Sequence, residues 1–216
     1  MKVASFDIGS KNFAFCIQEV DEISIGTITP PKQRYKNDGT PTDEYKHTLE
    51  QVYKNGNILL YMNIDLTEGI PKSTQKSYLD PQVFRNMIER LDRYKMYFQE
   101  VDTVLVEQQM AFRTQINVKA LKIGQACFTY FLMRFPSIEV IEFKSFYKTQ
   151  VLGAPKKLTK PQRKKWAVEE CKYILELRKD DENLEIVKCS KKKDDISDVV
   201  VQTCAFLILR FIDNKI

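Results

Sequence analysis

The chain has 216 residues, of which 43% are hydrophobic, and it carries a formal net charge of +5. This length suits one domain with a sizeable core, and no apolar run approaches the roughly 20 residues that are needed to span a bilayer. The five cysteines form no CxxC pair and there is a single histidine, so the composition argues against a zinc site and favours free, buried thiols.

The first elements in chain order are predicted to be strands. Residues 1–8 are an apolar run that Asp7 interrupts, and "KNFAFCIQEV" alternates apolar and polar residues, so together they predict a hairpin that turns near residues 9–12. Pro, Gly, Asn and Asp are frequent over residues 30–57, where we predict an exposed insertion or loop. The segment "NILLYMNIDL" then predicts a third strand.

From residue 80 onward, predicted helices and strands alternate. Asp80 as N-cap and Pro81 at the first helical position begin a helix, which leads into the strand "VDTVLVEQQ" containing Glu107. Four elements follow, namely a long helix over residues 113–134, the strand "SIEVIEF", a basic amphipathic helix over residues 161–177 and a last helix over residues 194–211. The order predicts a single α/β domain over residues 1–216, with a mixed sheet flanked by helices.

Four carboxylates lie in surroundings that are unusual for charge. Asp7 interrupts the first strand, Glu107 closes another, and Asp195 and Asp198 share one face of the last helix, just before an apolar stretch. Each has an ordinary alternative when taken singly: a turn residue, a solvated strand end or a first-turn acid. Converging buried carboxylates, however, need a cation, and Mg²⁺ or Mn²⁺ prefers oxygen ligands. Two such ions suit phosphodiester hydrolysis, so the set predicts a nuclease site.

Positive charge is concentrated in one part of the chain. Residues 144–165 contain eight basic residues and no acidic one, with aromatic residues between them. The candidate DNA-binding residues in this run are Lys144, Lys148, Lys156, Lys157, Lys160, Lys164 and Lys165. A run without any compensating acid is typical of a surface that binds a phosphate backbone, although a solvated helix face is the plainer interpretation of its end.

The segments "FDIGSKN", "VLVEQQ", "KTQVLGAPKK" and "KKDDISDVVVQ", in this order, resemble the RuvC-like Holliday junction resolvases of the RNase H-like superfamily, and among them the poxvirus branch. The resemblance implies an RNase H-like mixed five-stranded sheet, a homodimer, and Mg²⁺- or Mn²⁺-dependent paired cuts across a four-way DNA junction. It also implies that Asp7, Glu107, Asp195 and Asp198 hold the metal, with two ions in each active site.

Lys148 resembles the family lysine that contacts the scissile phosphate or helps to activate water, and Lys157 and Lys160 are alternatives for that role. The two-fold symmetry of a junction favours two identical sites in a dimer. The predicted helix over residues 113–134, which carries Ile116, Ala120, Ile123, Ala126, Cys127 and Tyr130, either forms part of that interface or packs on the sheet.

Two other functions are compatible with parts of the sequence. The basic run alone would suit a non-catalytic protein that binds branched nucleic acid. The Asp-x-Gly at residues 7–9 also occurs in actin-like and sugar-kinase ATPases, but a second glycine-rich phosphate loop is absent from a chain with seven glycines. With no recognisable secretory signal, we expect a location in the cytoplasm, that of the host cell if the protein is viral.

Overall fold

A computed structural model describes residues 1–71, 78–109 and 117–216. In these residues the strands are β1 (Lys2–Asp7), β2 (Phe13–Glu19), β3 (Asn57–Ile64), β4 (Thr103–Gln108) and β5 (Glu139–Lys144). The helices are α1 (Glu22–Gly26), α2 (Asp43–Lys54), α3 (Pro81–Arg93), α4 (Lys95–Phe98), α5 (Val118–Arg134), α6 (Phe146–Val151), α7 (Lys160–Arg178), α8 (Asp181–Cys189) and α9 (Lys193–Leu207), and α9 continues into a π-helical turn (Ile208–Ile212).

The strands form one mixed sheet in the order β3-β2-β1-β4-β5. The strands β1, β2 and β3 are antiparallel neighbours, and β1, β4 and β5 run parallel. The parallel strands are joined by helical connections, as parallel pairing requires. The predicted hairpin and the mixed five-stranded sheet flanked by helices are confirmed.

The alternation of side chains along the central strands divides the core into two layers. Val3 and Leu105 face the layer that includes residues of α2, α7 and α9, whereas Ala4, Phe6 and Val104 face the layer that includes residues of α3 and α5. Because both faces are covered, residues 3–6 of β1 and 103–106 of β4 are buried, and most of them are apolar. A polar side chain at the end of either strand is therefore conspicuous.

The prediction of an exposed loop over residues 30–57 is wrong for the second half of this range, which contains α2. Thr42 caps α2, and Tyr45, Leu49 and Val52 recur at helical spacing and are buried. The proline-rich residues before Thr42 do lack regular elements apart from an isolated bridge between Tyr35 and Pro41. The many polar residues on the outer face of α2 made its buried apolar face difficult to recognise in the sequence.

Replacing Leu49 with alanine tests this assignment. Leu49 is 3% exposed, so we expect Leu49→Ala to lower the free energy of unfolding by about 2–5 kcal/mol because it leaves a cavity. His47 lies on the exposed face of the same helix, so His47→Ala should change stability by less than about 0.5 kcal/mol. Urea unfolding of both variants measures the difference, and equal stability of the two would contradict a core position for α2.

Other differences from the predicted elements are small. The long helix begins at Val118 with Asn117 as its N-cap, and residues 113–116 lie outside the described residues. The short helices α1, α6 and α8 were not predicted. All five cysteines are free, and Cys189 is the exposed one. In the described residues no helix is both long enough and apolar enough to cross a membrane.

Candidate active site

The parallel pairing of β1 and β4 brings two of the predicted acids to one edge of the sheet. Phe6 is in register with Val106, and the next residues along the two strands are Asp7 and Glu107. The strands have the same direction, so both carboxylates lie at their carboxyl ends, where ligand sites of open α/β sheets form. The side chains of Asp7 and Glu107 are near enough for each to change the pKa of the other.

The last helix, α9, supplies the third acid. It packs on β1 and β2, and its interior Gln202 is buried. The Gln202 Nε2 donates to Ser5 Oγ at 2.9 Å and to Phe6 O at 3.3 Å, which fixes the helix against β1 next to Asp7. Asp198 lies one turn before Gln202 on the same face and therefore reaches the same edge of the sheet.

Lys148 of α6 lies between the acids. Its Nζ is 3.0 Å from Glu107 Oε1 and 3.1 Å from Asp198 Oδ2. The lysine side chain is only 7% exposed, and those of Glu107 and Asp198 are 12% and 25% exposed. A buried ammonium is stable here because carboxylates surround it.

The pKa values of the cluster follow from burial and from these charges. Burial, together with Glu107 and Asp198, raises the pKa of Asp7 well above its usual range. Burial acts in the same direction on Glu107, but Lys148 and the hydrogen bond to Asp7 outweigh it and lower its pKa. Burial opposes the charge of Lys148, and the three carboxylates more than compensate and raise its pKa.

Asp198 and Asp195 differ in their surroundings. Burial raises the pKa of Asp198 and Lys148 partly offsets this effect. Asp195 is one turn nearer the start of α9, where burial and then Asp194 raise its pKa to about 6. Asp194 itself is paired with Lys164 of α7. The structure therefore brings together Asp7, Glu107, Asp198 and Lys148, and it places Asp195 beside this cluster, near enough for its charge to act on Asp198.

A cavity of about 360 Å³ opens beside the cluster and is called the catalytic pocket below. Glu107 and Asp198 line one side of it together with Lys148, and Lys160, Arg163 and Lys164 of α7 line it as well. The other predicted DNA-binding lysines do not line it. Lys144 lies over the rings of Phe146 and Tyr147, Lys156 and Lys157 line a neighbouring cavity, and Lys165 is exposed on α7.

Two residues of the site region were not among the predicted site residues. Gln202 holds α9 against β1, and it could have been noticed as a polar residue inside the apolar stretch "VVVQTCAFL". Arg163 belongs to the basic run, but its sequence position does not reveal that it lines the catalytic pocket. Within the described ranges, no three His, Cys, Asp or Glu side chains are arranged as a ready set of metal ligands.

No protein-family model matches the chain. "Uncharacterized protein 97L" of Invertebrate iridescent virus 3 is 32% identical over 219 aligned residues, which cover 94% of this chain and 98% of that protein. The chain belongs to the family of this iridescent virus protein. "Uncharacterized protein 170L" of Invertebrate iridescent virus 6 is 27% identical, and its alignment covers 94% of this chain and 87% of that protein.

Solved structures show what fold this family has. The fowlpox virus resolvase in complex with Holliday junction DNA matches with a TM-score of 0.55 at 17% identity, over 96% of this chain and 97% of that one. RuvC of Thermus thermophilus matches with the same TM-score at 13% identity, over 98% of both chains. At such low identity the likeness is one of fold. The resemblance to RuvC-like resolvases is confirmed at that level.

Proposed function

We propose that this protein is a metal-dependent, structure-selective DNA endonuclease that resolves four-way junctions by paired, symmetric cuts in viral genome processing and recombination. One observation carries the proposal. On a RuvC-like fold, Asp7, Glu107, Asp198 and Lys148 meet at the carboxyl edge of the sheet, beside a pocket lined by basic residues of α7. A pocket with acids on one side and cations on the other suits a phosphodiester and the ions that act on it.

The chemistry of the acids fits a divalent cation. All the donors are carboxylate oxygens, and one ammonium, that of Lys148, faces the carboxylates of Asp7, Glu107 and Asp198. Burial, more than the neighbouring charges, raises the pKa values of Asp7 and Asp198, and a bound cation would offset this cost. Mg²⁺ or Mn²⁺, which prefer such ligands, would be held by Asp7, Glu107 and Asp198, with Asp195 completing the set for two ions. The metal would supply an activated water and stabilisation of the leaving oxygen.

The remaining side chains bind and orient the substrate in this proposal. Lys160, Arg163 and Lys164 attract the phosphates, and Lys148, held within the cluster, presents a fixed positive charge to the scissile one. Lys144, Lys156, Lys157 and Lys165 extend the positive surface. Selectivity for junctions would come from the shape of the DNA, since these groups contact the backbone and read no bases.

A homodimer remains part of the proposal because of the symmetry of the substrate. The residues of α5 that were considered for its interface largely pack on the sheet instead. Ala120, Ile123, Cys127 and Tyr130 are buried in the same layer as Phe6, and Ile116 lies outside the described residues. An interface formed by α5 would therefore use its outer face, where Leu132 and Met133 are exposed. The cytoplasm of the host cell is the location that we propose.

A cleavage assay on a synthetic four-way junction tests the function. We expect paired nicks in two opposite strands when Mg²⁺ or Mn²⁺ is present, no cutting in EDTA, and recovery when the ion is restored. A linear duplex of the same sequence is the matched substrate and should remain intact. Tight binding of the junction without cutting in any ion would instead establish the non-catalytic binding function. Nucleotide hydrolysis without DNA would favour the ATPase alternative.

A further inference from the structure

A second cavity, of about 500 Å³, adjoins the catalytic pocket. Thr149 and Arg163 line both cavities, so the two share a wall. Lys156, Lys157 and Arg163 provide three positive charges, and no acidic side chain of the described residues lines this cavity. A concave surface with three cations and no carboxylate favours an anionic ligand. We call it the phosphate cavity.

The segment before α2 forms one side of the phosphate cavity. The Lys156 N donates to Asp38 O at 2.7 Å, and its Nζ donates to Asn37 O at 3.1 Å. Gly39 has a φ of +91°, and a Cβ added there would lie 2.9 Å from Lys156 Cγ. The turn is thus built closely against this lysine. Lys156 holds the turn, which leaves Lys157 and Arg163 as the groups for a ligand.

Lys157 and Arg163 are both suited to this task. Lys157 has a φ of +62°, a left-handed conformation that is uncommon for a residue with a Cβ and that is found where surrounding structure enforces it, often at ligand sites. The Arg163 NH1 donates to Leu158 O at 3.1 Å, which orients the guanidinium and leaves further N–H groups for an anion. A guanidinium at the boundary of two cavities is able to contact two phosphates of one strand.

We propose that the phosphate cavity binds a backbone phosphate of the same DNA strand that is cut in the catalytic pocket, with Arg163 between the two phosphates. This inference rests on the proposed nuclease function. The chemistry requires only a phosphate group, so a free phosphate ion is the other source to be distinguished. A phosphate held in the phosphate cavity would determine which phosphodiester bond of the DNA strand lies against the acids. The number of nucleotides that can span the two cavities is set by the distance between them.

The salt dependence of junction binding tests the inference. Lys157→Asn removes the charge with a residue that tolerates the left-handed conformation, and Arg163→Ala removes the shared guanidinium. Arg85→Ala is the matched control, since Arg85 is exposed on α3, across the sheet from α7. Binding of a four-way junction is measured in EDTA over a range of salt concentrations, with melting temperatures recorded for every variant. Arg163→Lys provides a folded variant that keeps the charge.

We expect Lys157→Asn and Arg163→Ala each to weaken binding about tenfold at low salt and to reduce the slope of log K against log salt by about 0.9, the value for one lost phosphate contact. Arg163→Lys should restore the slope, and Arg85→Ala should leave it unchanged. Unchanged slopes for Lys157→Asn and Arg163→Ala would overturn the inference. An equal reduction of the slope by Arg85→Ala would also overturn the inference, because the effect would then come from the net charge of the protein.

Titration with inorganic phosphate alone distinguishes the second source. Phosphate binding that both substitutions abolish, with no change in the DNA slope, would assign the cavity to the free ion and overturn the strand assignment. Different measurements test the nuclease function and the phosphate cavity. A wild-type protein that binds junctions without cutting them refutes the nuclease function, whereas cutting with unchanged slopes refutes only the phosphate cavity.

Discussion

Asp7→Asn and Asp198→Asn are expected to abolish cleavage of a four-way junction while leaving junction binding intact. Each removes one carboxylate oxygen from a proposed metal ligand and keeps the size of the side chain. Metal-assisted stabilisation of developing charge contributes several kcal/mol. A loss of about 4 kcal/mol corresponds to a roughly 10³-fold lower cutting rate. Single-turnover cleavage in Mg²⁺ measures the rate, and an electrophoretic shift in EDTA measures the binding.

Asp7→Asn should not unfold the protein, whereas Asp198→Asn removes one of the two carboxylates that contact Lys148, so its melting temperature is measured together with its cutting rate. Burial and neighbouring carboxylates already raise the pKa of Asp7, so a neutral amide there removes an unfavourable charge. We expect the melting temperature of Asp7→Asn to equal or exceed that of the unchanged protein. Asp181→Asn, at the exposed start of α8, is the control for loss of one negative charge and should cut normally. Full cleavage by Asp7→Asn or Asp198→Asn would remove the basis of the proposed metal site.

Lys148→Met should have the largest effect on stability. It leaves two partly buried carboxylates, Glu107 and Asp198, without the ammonium that each contacts. Removing one partner of a buried ion pair costs about 3–5 kcal/mol. For a chain of this size, that loss lowers the melting temperature by roughly 10 °C. Thermal unfolding in EDTA measures it, and Lys148→Arg, which keeps the charge, is expected to lose less.

The stability that Lys148→Met loses should depend on pH. The pKa of Glu107 is lowered in the folded protein, so its pairing with Lys148 stabilises the protein above the ordinary pKa of glutamate, about 4.3, and is lost as the pH falls through the folded value. The difference in melting temperature between the unchanged protein and Lys148→Met should therefore become smaller at acidic pH.

A double-mutant cycle with Glu107→Gln tests the pairing directly. We expect Glu107→Gln to destabilise the unchanged protein more than it destabilises Lys148→Met. Additive effects of the two substitutions would mean that the ammonium and the carboxylate do not act on each other.

The sequence was most informative where a polar residue broke an apolar pattern. Asp7 and Glu107 were identified because strands buried on both faces tolerate no isolated charge, and parallel pairing then places them together. Asp198 followed from its helical spacing before an apolar stretch. Asp195 shares that spacing, yet the structure places it beside Asp194 and outside the contacts of Lys148, because one helical turn is enough to move a side chain away from the sheet edge.

Other parts of the structure depend on tertiary contacts that no local pattern reveals. The ion pairs of Lys148 join α6 to β4 and to α9, and only the folded sheet brings these elements together. The helix α2 was hidden among turn-forming residues, since its burial depends on packing against α7. Arg163 is one of many basic residues in its run, and the run alone does not reveal that this side chain lines two cavities.

The hydrogen bonds of Gln202 to Ser5 and Phe6 join the end of the chain to its beginning. Asp198 reaches the other acids only after α9 has docked on β1, and α9 follows the five described strands in the sequence. A growing chain that has already formed β1 and β4 therefore holds Asp7 and Glu107 without their third partner. The acidic cluster is therefore complete only once Lys193–Leu207 has been synthesised and has docked on the sheet.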